Sequence, residues 1–465
     1  MRDLNRLIKA YDVRGLVPED LDEGLARDIG AAFVSVVEVA TRDGGPGAVV
    51  IGHDMRPSGP ALVSAFADGV RSQGCDVVEI GLCSTDGLYF ASGHLGLPGA
   101  MFTASHNPAQ YNGIKLCRVG AAPVGQDTGL NEIRGLLESN PEGIAGRDVP
   151  VGSLTHRDLL GEYGEFLRNL VDLSNLRPLT VVVDAGNGMA GFTVPAVLGG
   201  LPLTIVPLFF ELDGSFPNHE ANPIEAENMR DLQAKVLEVG ADLGLAFDGD
   251  ADRCFVVDET GAIVNPSTLT AMIAVRELDK HPGATIIYNL ITSSAVPELV
   301  VEHGGTAVRT RVGHSFIKAE MARTGAVFGG EHSGHFYFSE FWNADSGMLA
   351  ALHVIAALGE TDERVSLSSL LAQYTRYVSS GEINSTVTDP SAVLTAIRDH
   401  YSGQAGVELG ELDGLTVSGE SWWFNVRPSN TEPLLRLNVE GRDEKAMQGA
   451  RDQALALIRS GQVGA

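Results

Sequence analysis

Short apolar runs alternate with amphipathic stretches along most of the chain. The run at 47–54 predicts a buried strand, and the spacing of apolar residues over 58–73 predicts an amphipathic helix. Further apolar runs that predict strands lie at 75–81, 99–107, 179–188, 203–211, 241–250, 284–290, 306–313 and 326–334. Strands separated by helical patterns are typical of parallel βαβ units. The pattern therefore predicts three α/β units in series, although residue identities do not visibly repeat.

The C-terminal part of the chain has a different rhythm. Apolar runs at 381–387, 415–426 and 433–441 predict strands, and the spacing over 390–402 and 443–459 predicts helices, which together indicate an α+β domain. The Gly- and Pro-rich segment 141–153 suggests a first boundary, and others fall near 254–266 and 375–382. We therefore expect four domains, at 1–150, 151–255, 256–375 and 376–465.

Composition narrows the class of protein. The chain has 465 residues, 44% of them hydrophobic, and a formal net charge of −27. So acidic a chain repels nucleic acid and anionic lipid, so we expect neither as a partner. No run of eighteen apolar residues and no N-terminal signal segment is present, so we expect a cytoplasmic protein. The four cysteines are scattered, which argues against a disulfide framework or a zinc site.

A serine lies among polar residues where the third predicted strand ends, in Thr103-Ala104-Ser105-His106-Asn107-Pro108. Ligands of open α/β sheets gather at this edge. Ser105 could act as a nucleophile with His106 as a neighbouring proton acceptor. An ordinary turn is the alternative, since Ser, Asn and Pro all favour turns. Lys115, a few residues further on, could bind phosphate, act as general acid or base, or simply be solvated.

Three carboxylates alternate with small residues in Asp248-Gly249-Asp250-Ala251-Asp252-Arg253, directly after an apolar strand. Like charges held this close favour a bound cation. Magnesium prefers oxygen ligands and is often completed by a phosphate oxygen, so it is the expected metal. A solvated acidic loop is the alternative.

A third polar segment is Gly330-Glu331-His332-Ser333-Gly334-His335. Glu331 and Ser333 could hydrogen-bond vicinal hydroxyls, and the glycines would allow a ligand to approach closely. The two histidines lack the further ligands that zinc requires.

A fourth segment, from Arg427 to Pro433 (RPSNTEP), combines an arginine with small hydroxyl and amide residues. This composition suits a phosphate. A turn bounded by prolines is the alternative.

A fifth segment, Gly186-Asn187-Gly188-Met189-Ala190-Gly191, fits G-x-G-x-x-G after a strand, with Glu211 about twenty residues further on. That spacing is typical of dinucleotide binding and keeps an NAD-dependent dehydrogenase open as an alternative. The competing interpretation is a tight strand–helix turn in a chain with 55 glycines.

TASHNP, DGDADR, GEHSGH and RPSNTEP, in this order and at these spacings, resemble the motifs of the α-D-phosphohexomutase family, in its bacterial phosphomannomutase/phosphoglucomutase branch. The resemblance covers nearly the whole chain. It implies three related α/β domains with mixed sheets and a smaller α+β C-terminal domain, heart-shaped around a central cleft. The glycine-rich turn would then be structural.

The resemblance also implies roles for individual residues. It matches Ser105 to a phosphoserine, and Asp248, Asp250 and Asp252 to magnesium ligands that an oxygen of Ser105 completes. The residues it matches to catalytic groups are Lys115 and His335 as general acid and base, with Arg14, His106 and Arg253 nearby. The residues it matches to substrate contacts are Tyr11, His314, Glu331, Ser333, Arg427, Ser429, Asn430 and Thr431.

The implied reaction interconverts mannose 6-phosphate and mannose 1-phosphate through a hexose 1,6-bisphosphate, which also serves as activator. Glucose phosphates are possible further substrates. The alternatives within the family are phosphoglucomutase and phosphoglucosamine mutase, and a catalytically silent sugar-phosphate binder lies outside them. We expect a monomer or a weak homodimer.

Two positions depart from the family pattern. His53 replaces an arginine that relatives commonly carry, and Arg56 is a candidate to compensate. Ile291 replaces a basic residue, and Arg311 is the candidate substitute for that phosphate contact.

Overall fold

The structure, a computed structural model of the chain, describes residues 3–37, 39, 47–428 and 434–460. The backbone divides into two compact units. The first combines Met1–Pro266 with Ser333–Leu370, and the second combines Ser267–His332 with Leu371–Ala465. None of the helices in the described ranges combines the length and the apolar composition that crossing a membrane requires.

The described residues form α-helices and β-strands. The helices are α1 Leu4–Leu7, α2 Glu23–Val36, α3 Gly59–Ser72, α4 Thr85–Leu95, α5 Leu130–Ser139, α6 Leu160–Leu170, α7 Ala190–Leu198, α8 Arg230–Val239, α9 Pro266–Lys280, α10 Ala295–Glu302, α11 His314–Thr324, α12 Gly347–Gly359, α13 Leu367–Leu371, α14 Pro390–Tyr401 and α15 Glu444–Ser460. The strands are β1 Val13–Leu16, β2 Ala48–His53, β3 Asp76–Leu82, β4 Gly99–Phe102, β5 Tyr111–Arg118, β6 Ala122–Pro123, β7 Leu154–His156, β8 Leu179–Asp184, β9 Leu203–Leu208, β10 Leu243–Phe247, β11 Cys254–Asp258, β12 Thr285–Asn289, β13 Thr306–Thr310, β14 Phe328–Gly330, β15 Phe336–Phe338, β16 Ala344–Asp345, β17 Val378–Thr386, β18 Glu408–Gly410, β19 Leu415–Ser418, β20 Trp422–Pro428 and β21 Leu434–Gly441.

The first sheet is mixed and has the order β1-β5-β4-β2-β3-β7, with β6 paired to β5. Strand β2 runs parallel to β3 and β4, while β5 is antiparallel to both β4 and β1. Helices α2 and α3 cover this sheet. Phe66 contacts Phe33 at a tilt and Phe102 edge to face, with ring centroids 6.0 and 5.4 Å apart, in the core between these helices and β4. The parallel strands predicted at 47–54, 75–81 and 99–107 are confirmed, and their carboxyl ends bring the serine segment to one edge.

The second sheet, also in the first unit, has the order β11-β10-β8-β9. Strands β8, β9 and β10 are parallel, and β11 returns antiparallel beside β10. The acidic segment 248–253 is the connection between β10 and β11. Strands β10 and β11 are entirely buried, which explains why they are continuous apolar runs in the sequence.

A buried carboxyl ties three stretches of the first unit together. Asp86, in the first turn of α4, accepts hydrogen bonds from Tyr163 Oη at 2.8 Å and from Ser346 Oγ at 2.6 Å. Phe166 packs beside it, 5.3 Å from Phe90 and 5.2 Å from Trp342 between ring centroids. These contacts join α4, α6 and the segment that precedes α12.

In the second unit, β12 pairs in parallel with β13 and β14. The C-terminal sheet has the order β17-β21-β20-β19-β18 and is antiparallel throughout, with α14 and α15 packed on it. The prediction of one strand over 415–426 is wrong. The chain reverses there, and Gly419 N donates to Trp422 O at 2.8 Å across the turn between β19 and β20.

Candidate active site

Ser105 lies in the turn after β4 with its hydroxyl held by a second loop. Its Oγ donates to Asp248 Oδ2 at 2.8 Å and receives a hydrogen bond from Arg253 Nη2 at 3.2 Å. His106 Nδ1 lies 3.2 Å from the same Oγ. Ser105 is only 5% exposed and has φ +50°, the left-handed region that a non-glycine residue rarely adopts. The turn thus directs the hydroxyl at a carboxylate and a guanidinium from the acidic loop.

The acidic loop is buried and brings three carboxylates close together. Asp248, Asp250 and Asp252 are each no more than 2% exposed, and one oxygen of each lies within 4.8 Å of the others. Lys115 Nζ donates to Asp250 Oδ2 at 2.7 Å and to Asp252 Oδ2 at 2.6 Å. The other oxygens, Asp250 Oδ1 and Asp252 Oδ1, are buried without a hydrogen-bond partner among the described residues.

Buried oxygens left in this state are costly unless a ligand satisfies them. Two such oxygens, together with Asp248 and the Ser105 hydroxyl, form an all-oxygen donor set of the kind that magnesium prefers. The residues present therefore fit a divalent cation.

The two loops touch through their backbones. A Cβ on Gly249 would lie 2.4 Å from the carbonyl oxygen of Ser105, so only glycine allows this approach. The glycine-rich turn at 186–191 contacts the backbone of the acidic loop, because Met189 N donates to Gly249 O at 2.9 Å. A Cβ on Gly188 would lie 2.7 Å from that same oxygen. The glycines of the G-x-G-x-x-G segment thus admit the chain's own backbone, as the structural interpretation expected.

The charges around Ser105 are strongly perturbed. Burial and the nearby Arg253 and Arg14 lower the pKa of His106 to about 2, so its imidazole is neutral and Nδ1 accepts a hydrogen bond from Arg253. Burial, reinforced by the charges of Asp252 and Asp250, raises the pKa of Asp248 to about 8 against the opposing effect of Arg253.

Lys115 and Asp250 form a strongly coupled pair. Burial alone would lower the pKa of Lys115, but Asp250 and Asp252 outweigh it and hold this pKa well above its usual range. Burial likewise opposes ionisation of Asp250, but Lys115 holds the pKa of that carboxyl below its usual range. Lys115 is therefore an ammonium near neutral pH.

The structure also describes four further expected residues of the first unit, namely Arg14, His335, Ser333 and Tyr11. Arg14, on β1, donates from Nη1 to Asn107 Oδ1 at 2.6 Å and so contacts the serine loop. His335 Nε2 lies 3.6 Å from Asp252 Oδ1, and its Nδ1 is 2.9 Å from Ser333 Oγ. Tyr11 is half-buried in the bend before β1.

Sequence reasoning missed Thr85. Its Oγ1 donates to Asp250 Oδ2 at 2.5 Å, and its N–H donates to the Asp250 carbonyl at 3.0 Å. In the sequence it looks like part of an ordinary helix start, Cys83-Ser84-Thr85-Asp86, and no local signal distinguishes it.

The structure shows which contacts His53 and Arg56 make. His53 Nδ1 donates to the neighbouring Asp54 O at 2.7 Å. Arg56, the candidate to compensate, uses all its side-chain N–H groups inside the protein, on Asp54 and on backbone carbonyls of the serine loop.

Glu331 is the centre of a cluster in the second unit. It is 2% exposed, and its Oε1 accepts from Asn289 Nδ2 at 3.3 Å and from Gly313 N at 3.1 Å. Gly313 directly precedes helix α11, which begins at His314. Ile291 is buried on the same β12 end, whereas Arg311 is exposed with its guanidinium 4.7 Å from the Phe316 ring centre.

Arg427, at the end of β20 in the second unit, is held by a carboxylate. Its Nη2 donates to Glu382 Oε2 at 3.0 Å, and Arg436 Nη1 lies 3.4 Å from Glu382 Oε1. The predicted phosphate contacts Ser429, Asn430 and Thr431 lie outside the described residues.

The Ser105 hydroxyl thus packs against a buried acidic loop at the carboxyl ends of α/β strands, the edge at which such sheets bind ligands. Sequence profiles for domains I, II and III (alpha/beta/alpha) and the C-terminal domain of phosphoglucomutase/phosphomannomutase match residues 5–143, 161–261, 265–377 and 382–457.

The chain is 43% identical over 455 residues to "phosphohexose mutases" of Xanthomonas campestris, covering 97% of this chain and 99% of the relative. It is 39% identical over 460 residues to a phosphomannomutase of Salmonella typhimurium, covering 97% and 98%. A crystal structure of a phosphoglucomutase/phosphomannomutase family protein from Burkholderia thailandensis matches with a TM-score of 0.88 at 34% identity, covering 100% and 99%.

The chain therefore belongs to the phosphoglucomutase/phosphomannomutase family of phosphohexomutases, which are isomerases. The predicted fold class, three α/β domains with mixed sheets and a C-terminal α+β domain, is confirmed.

Proposed function

We propose that the chain is a magnesium-dependent phosphomannomutase that works through phosphorylated Ser105 and also accepts glucose phosphates. The observation that carries this proposal is the Ser105 hydroxyl, held between Asp248 and Arg253 beside two unpartnered buried carboxylate oxygens.

In the proposed cycle, phosphorylated Ser105 gives its phosphoryl group to the free hydroxyl of a hexose 6-phosphate, and the hydroxyl loses its proton. The product is a hexose 1,6-bisphosphate and a free serine. The bisphosphate turns end for end, and Ser105 Oγ attacks the other phosphate and releases its proton. The hexose 1-phosphate then leaves and the phosphoserine is restored.

Phosphoryl transfer depends mainly on positioning and on charge neutralisation. Magnesium, held by Asp248, Asp250 and Asp252 with an oxygen of the phosphoserine, would supply Lewis-acid stabilisation of the transferring group. Arg253 lies within hydrogen-bond distance of Ser105 Oγ, so its positive charge can stabilise negative charge that develops on that oxygen. Lys115, as an ammonium bound to Asp250 and Asp252, is a charge partner of the acidic loop and is the proposed general acid.

His335 is the proposed base for the sugar hydroxyl. Its Nε2 lies 3.6 Å from Asp252 Oδ1, and a nearby carboxylate stabilises the imidazolium that forms when the base takes a proton. Arg14 donates a hydrogen bond to Asn107, and Arg253 donates one to the neutral imidazole of His106. Both contacts hold the serine loop in place.

Substrate binding is assigned to the remaining family positions. Glu331 and Ser333 are the proposed partners of vicinal sugar hydroxyls, with Tyr11 and His314 orienting the substrate. Arg427, with Ser429, Asn430 and Thr431, is the proposed anchor for the phosphate that is not transferred. An anchor of this kind fixes which hydroxyl faces Ser105.

Sugar preference rests on the relatives' names and on stereochemistry. Mannose and glucose differ only at the 2-hydroxyl, while the proposed Glu331 and Ser333 contacts involve positions 3 and 4. These contacts therefore do not separate the two sugars, and we expect turnover of both, with mannose phosphate preferred.

The test is a coupled assay with magnesium and a trace of glucose 1,6-bisphosphate, comparing mannose 1-phosphate, glucose 1-phosphate and glucosamine 1-phosphate. Ser105→Ala should remove nearly all turnover. It should also remove the single phosphate that we expect intact mass spectrometry to detect on the wild-type protein. Ser139→Ala, at an exposed helix position, is the matched control and should change neither. Full activity of Ser105→Ala would exclude the covalent cycle, and preference for glucosamine 1-phosphate would move the chain to that branch.

A further inference from the structure

Arg56 is a charged side chain that is almost entirely buried beside the serine loop. It is 1% exposed, and the Phe216 ring centre lies 5.3 Å from its guanidinium carbon. An arginine has five N–H donors on its side chain. All five are used: Nε donates to Asp54 Oδ2 at 3.2 Å, and the two terminal nitrogens donate to four backbone carbonyls.

Those four carbonyls belong to one loop. Nη2 donates to Ser105 O at 2.8 Å and to Asn107 O at 2.7 Å. Nη1 donates to Pro108 O and to Tyr111 O, both at 2.9 Å. The planar guanidinium thus binds four carbonyls of the segment that runs from Ser105 to the first residue of β5, from a position about fifty residues earlier in the chain.

A second path reaches the same serine. Asp54, the partner of Arg56, is hydrogen-bonded to the Thr103 side chain, and Thr103 Oγ1 accepts from Ser105 N at 2.9 Å. Both the N–H and the C=O of Ser105 are therefore fixed by one buried network. Ser105 needs such support, because its left-handed φ of +50° is unfavourable for a residue with a side chain.

Arg56 has no donor left for a substrate, and its charge is matched by Asp54. We propose that Arg56 is a positioning residue for phosphoryl transfer: by holding the four carbonyls it keeps Ser105 in the left-handed conformation that points Oγ at Asp248 and Arg253. This inference rests on the proposed function of Ser105. It assigns Arg56 an effect on the transfer step and none on substrate affinity.

Arg56→Lys tests the proposal, since lysine keeps the charge but offers three donors from a single point and cannot serve four carbonyls in a plane. A loop displaced by about 1 Å slows a reaction by about 100-fold. We expect kcat to fall by about that factor, with the KM for hexose phosphate and for the 1,6-bisphosphate unchanged within about twofold. The rate at which the dephosphorylated enzyme takes up phosphate from glucose 1,6-bisphosphate, followed by intact mass, should fall in parallel.

Arg168→Lys is the matched control, because Arg168 also donates to two backbone carbonyls, Ala196 O and Val197 O, away from the serine loop. It should leave kcat and phosphate uptake unchanged. Equal kinetics in Arg56→Lys and Arg168→Lys would overturn the proposal. A raised KM at unchanged kcat would overturn it too, because it would make Arg56 a substrate contact.

Thr103→Val keeps the test decisive if Arg56→Lys does not fold. It removes the hydroxyl that accepts from Ser105 N without burying a charge, and we expect kcat to fall about tenfold at constant KM, the effect of one lost hydrogen bond on geometry. Unchanged kcat in Thr103→Val would show that the shape of the loop does not control transfer. Absence of phosphate uptake by the wild-type enzyme would instead contradict the proposed function and leave Arg56 as a purely structural clamp.

Discussion

Gly249→Ala should separate the nucleophile from the acidic loop with the smallest possible chemical change. The new Cβ would lie 2.4 Å from Ser105 O, whereas ordinary van der Waals contact begins at 3.4 Å. The two loops must therefore move apart by about 1 Å. Both groups in the clash are fixed to backbone, so no side-chain rotation relieves it. Gly249 does not have a positive φ, so the variant's effect reports this contact and not a disallowed conformation.

The consequence for the site follows from one distance. The hydrogen bond from Ser105 Oγ to Asp248 Oδ2 is 2.8 Å long, and a shift of about 1 Å takes it beyond hydrogen-bond range. Misplacement of that size costs about 100-fold in rate, or about 2.7 kcal/mol of barrier. Overpacking should also lower the free energy of unfolding by about 1–3 kcal/mol.

The assay compares kcat and thermal unfolding of Gly249→Ala with those of Gly135→Ala. Gly135 is an exposed position of helix α5, and a Cβ there meets no atom within 4 Å. That control should keep full activity and gain up to about 1 kcal/mol of stability. If Gly249→Ala turned over at the wild-type rate while remaining folded, the inference that backbone contact sets the distance between the loops would be wrong.

Two further predictions concern buried carboxyls. Asp250→Asn should raise the magnesium concentration needed for half-maximal activity by roughly tenfold or more, since it replaces a carboxylate that has one oxygen unpartnered, and removal of metal by a chelator should abolish wild-type turnover. Asp127→Asn, an exposed acid, is the control, and equal magnesium titrations for the two variants would mean that the loop is not the metal site. Burial raises the pKa of Asp86 from 3.8 to about 6, so its contribution to folding is full below about pH 4 and is lost as the pH rises through 6. Asp86→Asn removes that loss, about 3 kcal/mol once the pH is above about 7, so the melting temperature of the variant relative to wild type should rise between about pH 4 and pH 7 and then level off, and a difference independent of pH would contradict this reasoning.

The features that could be predicted from sequence are those that depend on the local order of apolar and polar residues. Strands β2, β8 and β10 are buried on both faces and so appear as unbroken apolar runs, and polar segments after such strands mark the binding edge. The one clear error, over 415–426, has the same origin. Trp422 and Phe424 continue the apolar run of β19, and three residues, 419–421, suffice to reverse the chain.

What could not be predicted depends on contacts between distant residues. Arg56 meets carbonyls about fifty residues away, and Thr85 meets Asp250 across 165 residues. Neither side chain stands in a distinctive local context. The glycine-rich turn shows the converse, because its sequence fits a nucleotide-binding pattern while its neighbours in space are the backbone atoms of Gly249.

The Asp86 junction has a consequence for how this enzyme can change over evolutionary time. One carboxyl is shared by hydroxyls from α6 and from the segment before α12, and the loop that follows β4 admits the acidic loop only through a glycine. A recombination event that exchanged any one of these stretches with a diverged relative would bring together surfaces that had not been selected as partners. The first unit is therefore expected to be inherited as a block, and chimeras with a crossover between Ser105 and Gly249 should lose activity more often than chimeras that keep both loops from one parent.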